Sequence, residues 1–84
     1  MKRPWYVYIV QCSDDTLYTG ITTDLNRRID EHNSSSSAAR YTRTRRPVTL
    51  LYNESFPDRS EASKREAELK ALSRADKLRL ICAR

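Results

Sequence analysis

Apolar and aromatic residues come in short runs along this chain, and the spacing within the runs changes as the chain proceeds. Trp5-Tyr6-Val7-Tyr8-Ile9-Val10 is dense in aromatic and β-branched residues, the side chains that pack best on a pleated surface. Leu17-Tyr18-Thr19-Gly20-Ile21 resumes that character after the polar Ser13-Asp14-Asp15-Thr16, so the two runs predict a β-hairpin. From Thr23 the period becomes helical: Leu25, Ile29 and His32 recur on one stripe, Thr23 or Asp24 is suited to cap the start, and the helix should end near Asn33. Ser34 to Ser37 neither packs nor patterns and is expected to be a flexible loop. Val48-Thr49-Leu50-Leu51-Tyr52 predicts a third strand. Asp58, with Glu61 three residues later, gives a capping-box-like start to a helix carrying Ala62, Leu69 and Leu72; Ser73 interrupts it before a final short helix with Leu78, Leu80 and Ile81. The order ββα(α)βαα predicts an α/β (α+β) fold, a small three-stranded, mostly antiparallel sheet flanked by helices.

Length and composition narrow this further. With 84 residues, the chain fits one domain over residues 1–84. A formal charge of +5 attracts polyanions, and nucleic acid is the commonest of these in a cytosol. No apolar stretch approaches the length needed to cross a bilayer, which predicts a cytoplasmic protein that does not engage a membrane. Cys12, Cys82 and the single His32 are too few for a structural zinc site, and both thiols read as buried or half-buried.

The residues with chemistry to offer fall into three groups. Along the strands, Tyr6, Tyr8 and Val10 share one face, as do Tyr18 and Gly20. A connection with an odd number of residues would pair Val10 with Tyr18 and Tyr8 with Gly20, bringing Tyr8 and Tyr18 to one surface; an even one would separate them. Gly20, the only glycine, suits a close approach. On the first helix, Arg28 and His32 lie beside Leu25 and Ile29, whereas Arg27 points away. A guanidinium on an inward-facing stripe calls for an anionic partner, and a phosphate suits its planar fork. Downstream, Arg40, Arg43, Arg45 and Arg46 surround Tyr41, a composition suited to phosphate contact with stacking on a base, and Lys70 is placed with them as a nucleic-acid contact.

Each residue has a plainer reading taken singly. Tyr8 and Tyr18 could be half-buried strand aromatics, Arg28 one half of a structural ion pair with Glu66, and His32 a satisfied helix-end residue. Glu66 and Glu68 sit at opposite edges of the later helix's apolar stripe, and geometry does not choose between them as a metal ligand. Pro57-Asp58 followed by Glu68-Leu69-Lys70 spells another nuclease signature, PD-(D/E)xK. The acidic ligands of that signature belong on strands, however, whereas this stretch is helical and Asp58 reads as a cap.

In combination and in order, the motifs resemble the GIY-YIG endonucleases. Tyr6-Val7-Tyr8 stands where GIY would be and Tyr18-Thr19-Gly20 where YIG would be; the stretch Ile21 to His32 is similar to the helix that follows, with Arg28 at its essential arginine. Tyr41 to Val48 and the helix bearing Glu66 resemble the small stand-alone bacterial members, a group similar to the N-terminal module of the excision-repair nuclease. The resemblance spans Trp5 to Leu72, with two departures. Tyr6 replaces the first glycine, and serine and alanine precede Tyr41 where glycine and lysine are usual.

The resemblance implies a Mg²⁺-dependent nuclease, with Mn²⁺ as a substitute, acting on nucleic acid, DNA ahead of RNA, in repair or processing; the sequence itself does not decide between the two. It selects Glu66 over Glu68 as the metal ligand. Arg28 would stabilise developing charge, Tyr8 would be the general base with Tyr18 orienting water, and His32 would assist proton transfer or cap the pocket. A phenol titrates near ~10, so the base role calls for a pKa lowered by the metal or by Arg28, or for a relay through water. The alternative is a non-catalytic nucleic-acid-binding module with the same fold.

Overall fold

The computed structural model describes residues 3–34 and 40–83, with backbone alone at 40 and 41. Along the chain run β1 (Trp5–Gln11), β2 (Leu17–Thr22), α1 (Leu25–Ser34), α2 (Arg40–Arg43), β3 (Thr49–Phe56), α3 (Arg59–Ala71) and α4 (Arg74–Cys82). The strands form one antiparallel sheet in the order β2-β1-β3, which puts the aromatic first strand in the middle.

The hairpin has the odd connection. Gln11 pairs with Leu17, Val10 with Tyr18 and Tyr8 with Gly20, so Tyr8 and Tyr18 share a face. Asp15 supplies the left-handed turn conformation (φ 67°), which aspartate tolerates better than most side chains. Asp14 closes the turn by accepting from the backbone N–H and the hydroxyl of Thr16.

Both faces of β1 are covered, which explains its nearly continuous apolar run. Val7 and Ile9 pack with Tyr52, Ala62 and Leu69 on the α3 side. Tyr8 and Val10 pack with Cys12 and Val48, and with Leu25 and Ile29 of α1, on the other. Full burial of Val7, Ile9 and Leu69 stabilises the sheet–α3 layer by about 1.5–3 kcal/mol for each side chain. A bulge between β1 and β3 assigns the faces of the third strand: Ile9 pairs with Tyr52 and Val10 with Leu50, leaving Leu51 as the extra residue. Leu50 thereby joins the Tyr8 side while Tyr52 stays on the α3 side.

Sequence reasoning ends the third strand at Tyr52, but it continues to Phe56. The polar Asn53-Glu54-Ser55 is kept in the sheet by pairing with Tyr8, Val7 and Tyr6, and Glu54 accepts a fork of hydrogen bonds from Arg65 on α3 (2.9 and 3.1 Å). Asp24 rather than Thr23 caps α1, accepting from the Arg27 N–H at 3.1 Å. Asp58 caps α3 by accepting from the Glu61 N–H, and Ser73 caps α4. Glu68 lies on α3 against Arg65, so the PD-(D/E)xK spelling is coincidental. Cys12 is buried as expected; Cys82 is exposed, because it lies in the last turn of α4, a helix that buries none of its residues. Of the expected loop from Ser34 to Ser37, Ser34 ends α1 and the rest lies outside the described residues. Among the described residues no helix is long and apolar enough to cross a membrane.

Candidate active site

Three rings from three elements meet on the α1 side of the sheet. Tyr8 of β1, Tyr18 of β2 and His32 of α1 have ring centroids 5.5–6.5 Å apart, with His32 edge-on to both phenols. The absence of a side chain opposite makes room for Tyr8. A Cβ on Gly20 would lie 2.5 Å from the Tyr8 hydroxyl and 2.7 Å from its ring carbon Cζ, so only glycine admits the phenol in this position.

Buried hydrogen bonds lock the imidazole. Tyr8 Oη lies 2.8 Å from His32 Nε2, and Thr42 Oγ1 lies 2.7 Å from His32 Nδ1. All three residues are almost entirely removed from solvent. Arg28 follows from the same helix stripe: it forms an ion pair with Glu31 one turn on, 2.8 Å, and sits near enough to the Tyr8 phenol to pull its pKa down. Its anionic partner is therefore Glu31, the nearest carboxylate on its own helix face, rather than Glu66. Glu66 projects from α3 and acts on the Tyr8 phenol through its charge, while pairing with Lys70 at 3.3 Å. The side chains of Arg28 and Glu66 remain 23% and 22% exposed, whereas Tyr8 and His32 are shut off from solvent.

Burial dominates the electrostatics. It pushes the Tyr8 phenol up to about 12, outweighing the Arg28 hydrogen bond and charge that pull it down; Tyr18 and Glu66 push the same way as burial. Burial, assisted by the charges of Arg28 and Arg46 and opposed by Glu31, lowers His32 to about 4. Burial also works against the Arg28 charge, but the hydrogen bonds to Glu31 and Tyr8 prevail and raise its pKa. The phenol is thus raised where the base role called for it to be lowered, and it stands as a protonated hydroxyl facing a neutral imidazole nitrogen.

The basic segment is clamped to this site. Arg45 pairs with Asp14 at 3.0 Å, and its carbonyl accepts from the Ser13 N–H at 2.9 Å. Arg46 Nε donates to the carbonyl of His32 at 2.6 Å. Asn33 grips the backbone of Val48, accepting at 2.6 Å and donating at 3.1 Å. Arg45 and Arg46 therefore hold the segment against the hairpin turn and α1, while Arg43 is exposed on α2. The side chains of Arg40 and Tyr41 lie outside the described residues. Lys70 stands one turn beyond Glu66 and is committed to it. Sequence reasoning missed Thr42, Asn33 and Glu31. Glu31 was legible as an i,i+3 partner of Arg28, whereas Thr42 and Asn33 act across the fold and leave no periodic signal.

Among the described residues no three His, Cys, Asp or Glu side chains form a ready cage for a metal ion. A lone, half-buried carboxylate is the donor set that suits Mg²⁺, which keeps most of its water and takes the rest of its shell from substrate phosphate.

Known proteins match this chain over most of its length. Residues 4–79 match the family model described as the GIY-YIG catalytic domain. The UPF0213 protein DP2720 of Desulfotalea psychrophila is 65% identical over 82 residues, covering 96% of this chain and 74% of the relative. The UPF0213 protein VNG_2274C of Halobacterium salinarum is 56% identical over 72 residues, covering 86% and 92%. Among solved structures, the solution NMR structure of the UPF0213 protein BH0048 from Bacillus halodurans superposes with a TM-score of 0.62 at 44% identity, covering 96% of this chain and 85% of that one. The chain belongs to the GIY-YIG family, whose catalytic domain is that of a group of nucleases acting on nucleic acid.

Proposed function

We propose that this protein is a metal-dependent phosphodiester hydrolase, an endo- or exonuclease with DNA as its preferred substrate, working in DNA repair or processing in the cytoplasm. The observation that carries the reading is the convergence on one phenol: Tyr8 is hydrogen-bonded to His32 and feels the charges of Arg28 from α1 and Glu66 from α3.

In this reading the Arg28 guanidinium transfers from the Tyr8 oxygen to the scissile phosphate and balances the charge that develops there. The phenol oxygen is thereby opened to a water oriented by Tyr18. As the water oxygen bonds to phosphorus, its proton passes to Tyr8 Oη and the Tyr8 proton passes to His32 Nε2; the phosphorus–oxygen bond to the leaving strand breaks with its electron pair going to that oxygen. The phosphate anion favours the imidazolium and so offsets the push that Arg28 exerts in the free protein. Glu66 would hold Mg²⁺, or Mn²⁺ in its place, and the ion when bound supplies charge neutralisation for the phosphate and the leaving oxygen. Arg40, Tyr41, Arg43, Arg45, Arg46 and Lys70 would lie along the nucleic-acid backbone, with Arg45 and Arg46 exchanging internal partners for phosphates.

The test is incubation of the purified protein with single-stranded, duplex and branched DNA, and with RNA, in Mg²⁺, in Mn²⁺ and in chelator. Cleavage of DNA that stops in chelator supports the reading. Salt-dependent binding with no cleavage in either metal identifies a non-catalytic binding module instead.

A further inference from the structure

We propose that Thr42 is a positioning residue for the Tyr8 phenol: its hydroxyl accepts the Nδ1 proton of His32 and so keeps Nε2 bare, facing the phenol, to receive that proton. The inference rests on the proton relay just described and names the group that sets its direction.

A neutral imidazole carries one N–H and one bare nitrogen, and which is which depends on its neighbours. Both ring nitrogens of His32 are engaged, by Tyr8 Oη at 2.8 Å and by Thr42 Oγ1 at 2.7 Å, inside a site from which all three side chains are shielded. Arg28 decides the direction on the Tyr8 side. The guanidinium beside the phenol is positive and can only donate, so it favours the oxygen's lone pairs turned towards it, and the phenol hydrogen must find its acceptor elsewhere. His32 Nε2 stands at that place. With Nε2 accepting, the remaining ring proton lies on Nδ1, and Thr42 is the group there to take it. The opposite tautomer would turn an N–H of His32 towards a phenol oxygen that already faces the Arg28 charge, leaving the buried phenol hydrogen without this partner.

Thr42 does not sit on the sheet or on the helix that carries His32. It belongs to α2, at the head of the basic segment, and that segment also holds the carbonyl of His32 through Arg46. The stretch that would meet nucleic acid therefore grips the imidazole at its ring and at its backbone, so its seating is a condition for the relay. The charged and titratable groups facing the ring are Arg28 and Glu31 from α1, Arg46 from the segment, and Tyr8 and Tyr18 from the sheet.

Because the chain has a single histidine, ¹⁵N NMR of histidine-labelled protein reads this tautomer without assignment. The wild type should show a protonated Nδ1 and a bare Nε2 at neutral pH. Thr42→Ser should keep that pattern, and Thr42→Val should mix the tautomers or reverse them. In cleavage assays Thr42→Val should lower kcat by about tenfold or more with little change in KM, and Thr42→Ser should restore it. A proton on Nε2 in the wild type overturns the proposal, whether or not Thr42→Val folds; so does a Thr42→Val protein with an unchanged tautomer and rate. Absence of cleavage in the wild type would refute the nuclease reading alone, because the tautomer is read without substrate.

Discussion

Gly20 stands directly across the strand pair from Tyr8, and the space a Cβ would occupy there is filled by the phenol hydroxyl. The motif glycine is therefore needed for a steric reason rather than for an unusual backbone conformation, since the glycine lies in a regular strand. Gly20→Ala should push the Tyr8 ring out of its hydrogen bond with His32. Overpacking of this kind costs about 1–3 kcal/mol of stability, and a displacement of the reacting group by about 1 Å costs on the order of 10²-fold in rate. Urea unfolding together with cleavage kinetics checks this; a variant as active and as stable as the wild type would show that the phenol does not need its present place.

His32 gives the fold a pH dependence of definite sign. Its pKa falls from 6.5 in the unfolded chain to about 4 in the fold, so on acidification the unfolded state takes up the proton first. The stabilisation from keeping this imidazole neutral is complete above about pH 6.5 and is lost as pH falls through that value towards 4, by about 3 kcal/mol in all. Urea titrations at a series of pH values should show this slope in the wild type and not in His32→Gln. The pH profile of kcat/KM, which reports the free protein before phosphate is bound, should likewise show no inflection near pH 6.5, the value expected of a free imidazole. An inflection there would mean that His32 titrates normally.

Away from the site, the Arg65 fork on Glu54, with the Tyr52 hydroxyl donating to the same carboxylate, ties α3 to the end of β3. The groups are partly exposed, so Glu54→Gln should cost a modest amount, about 1–2 kcal/mol, equivalent to a fall of roughly 5–15 °C in Tm for a chain of this size. Calorimetry measures it directly. No change in Tm would show that the fork is a surface pair without net effect.

Much of this was legible beforehand because local rules and the global fold agree. The change from strand to helical spacing marks β1, β2 and α1, the odd hairpin connection brings Tyr8 and Tyr18 together, and Asp58 and Ser73 announce the starts of α3 and α4. The end of β3 was hidden because Asn53-Glu54-Ser55 has poor strand propensity and is held by cross-strand pairing and by Arg65. The arginine-rich segment read as a nucleic-acid surface; Arg45 and Arg46 are also internal fasteners, and composition does not distinguish the two uses. Thr42 was invisible for a related reason. Its importance lies in a contact with a residue ten positions away, made only when the segment folds back on α1.

The central claim is that Tyr8 and Glu66, brought from β1 and α3, serve chemistry on a bound phosphate and not the binding of nucleic acid itself. Its most direct test is to measure DNA binding and single-turnover cleavage side by side for the wild type, Tyr8→Phe and Glu66→Ala in Mg²⁺. Binding should survive in both variants, while cleavage should fall by about 10²-fold or more in each. Cleavage persisting at the wild-type rate in either variant, or binding lost in parallel with it, would contradict the account.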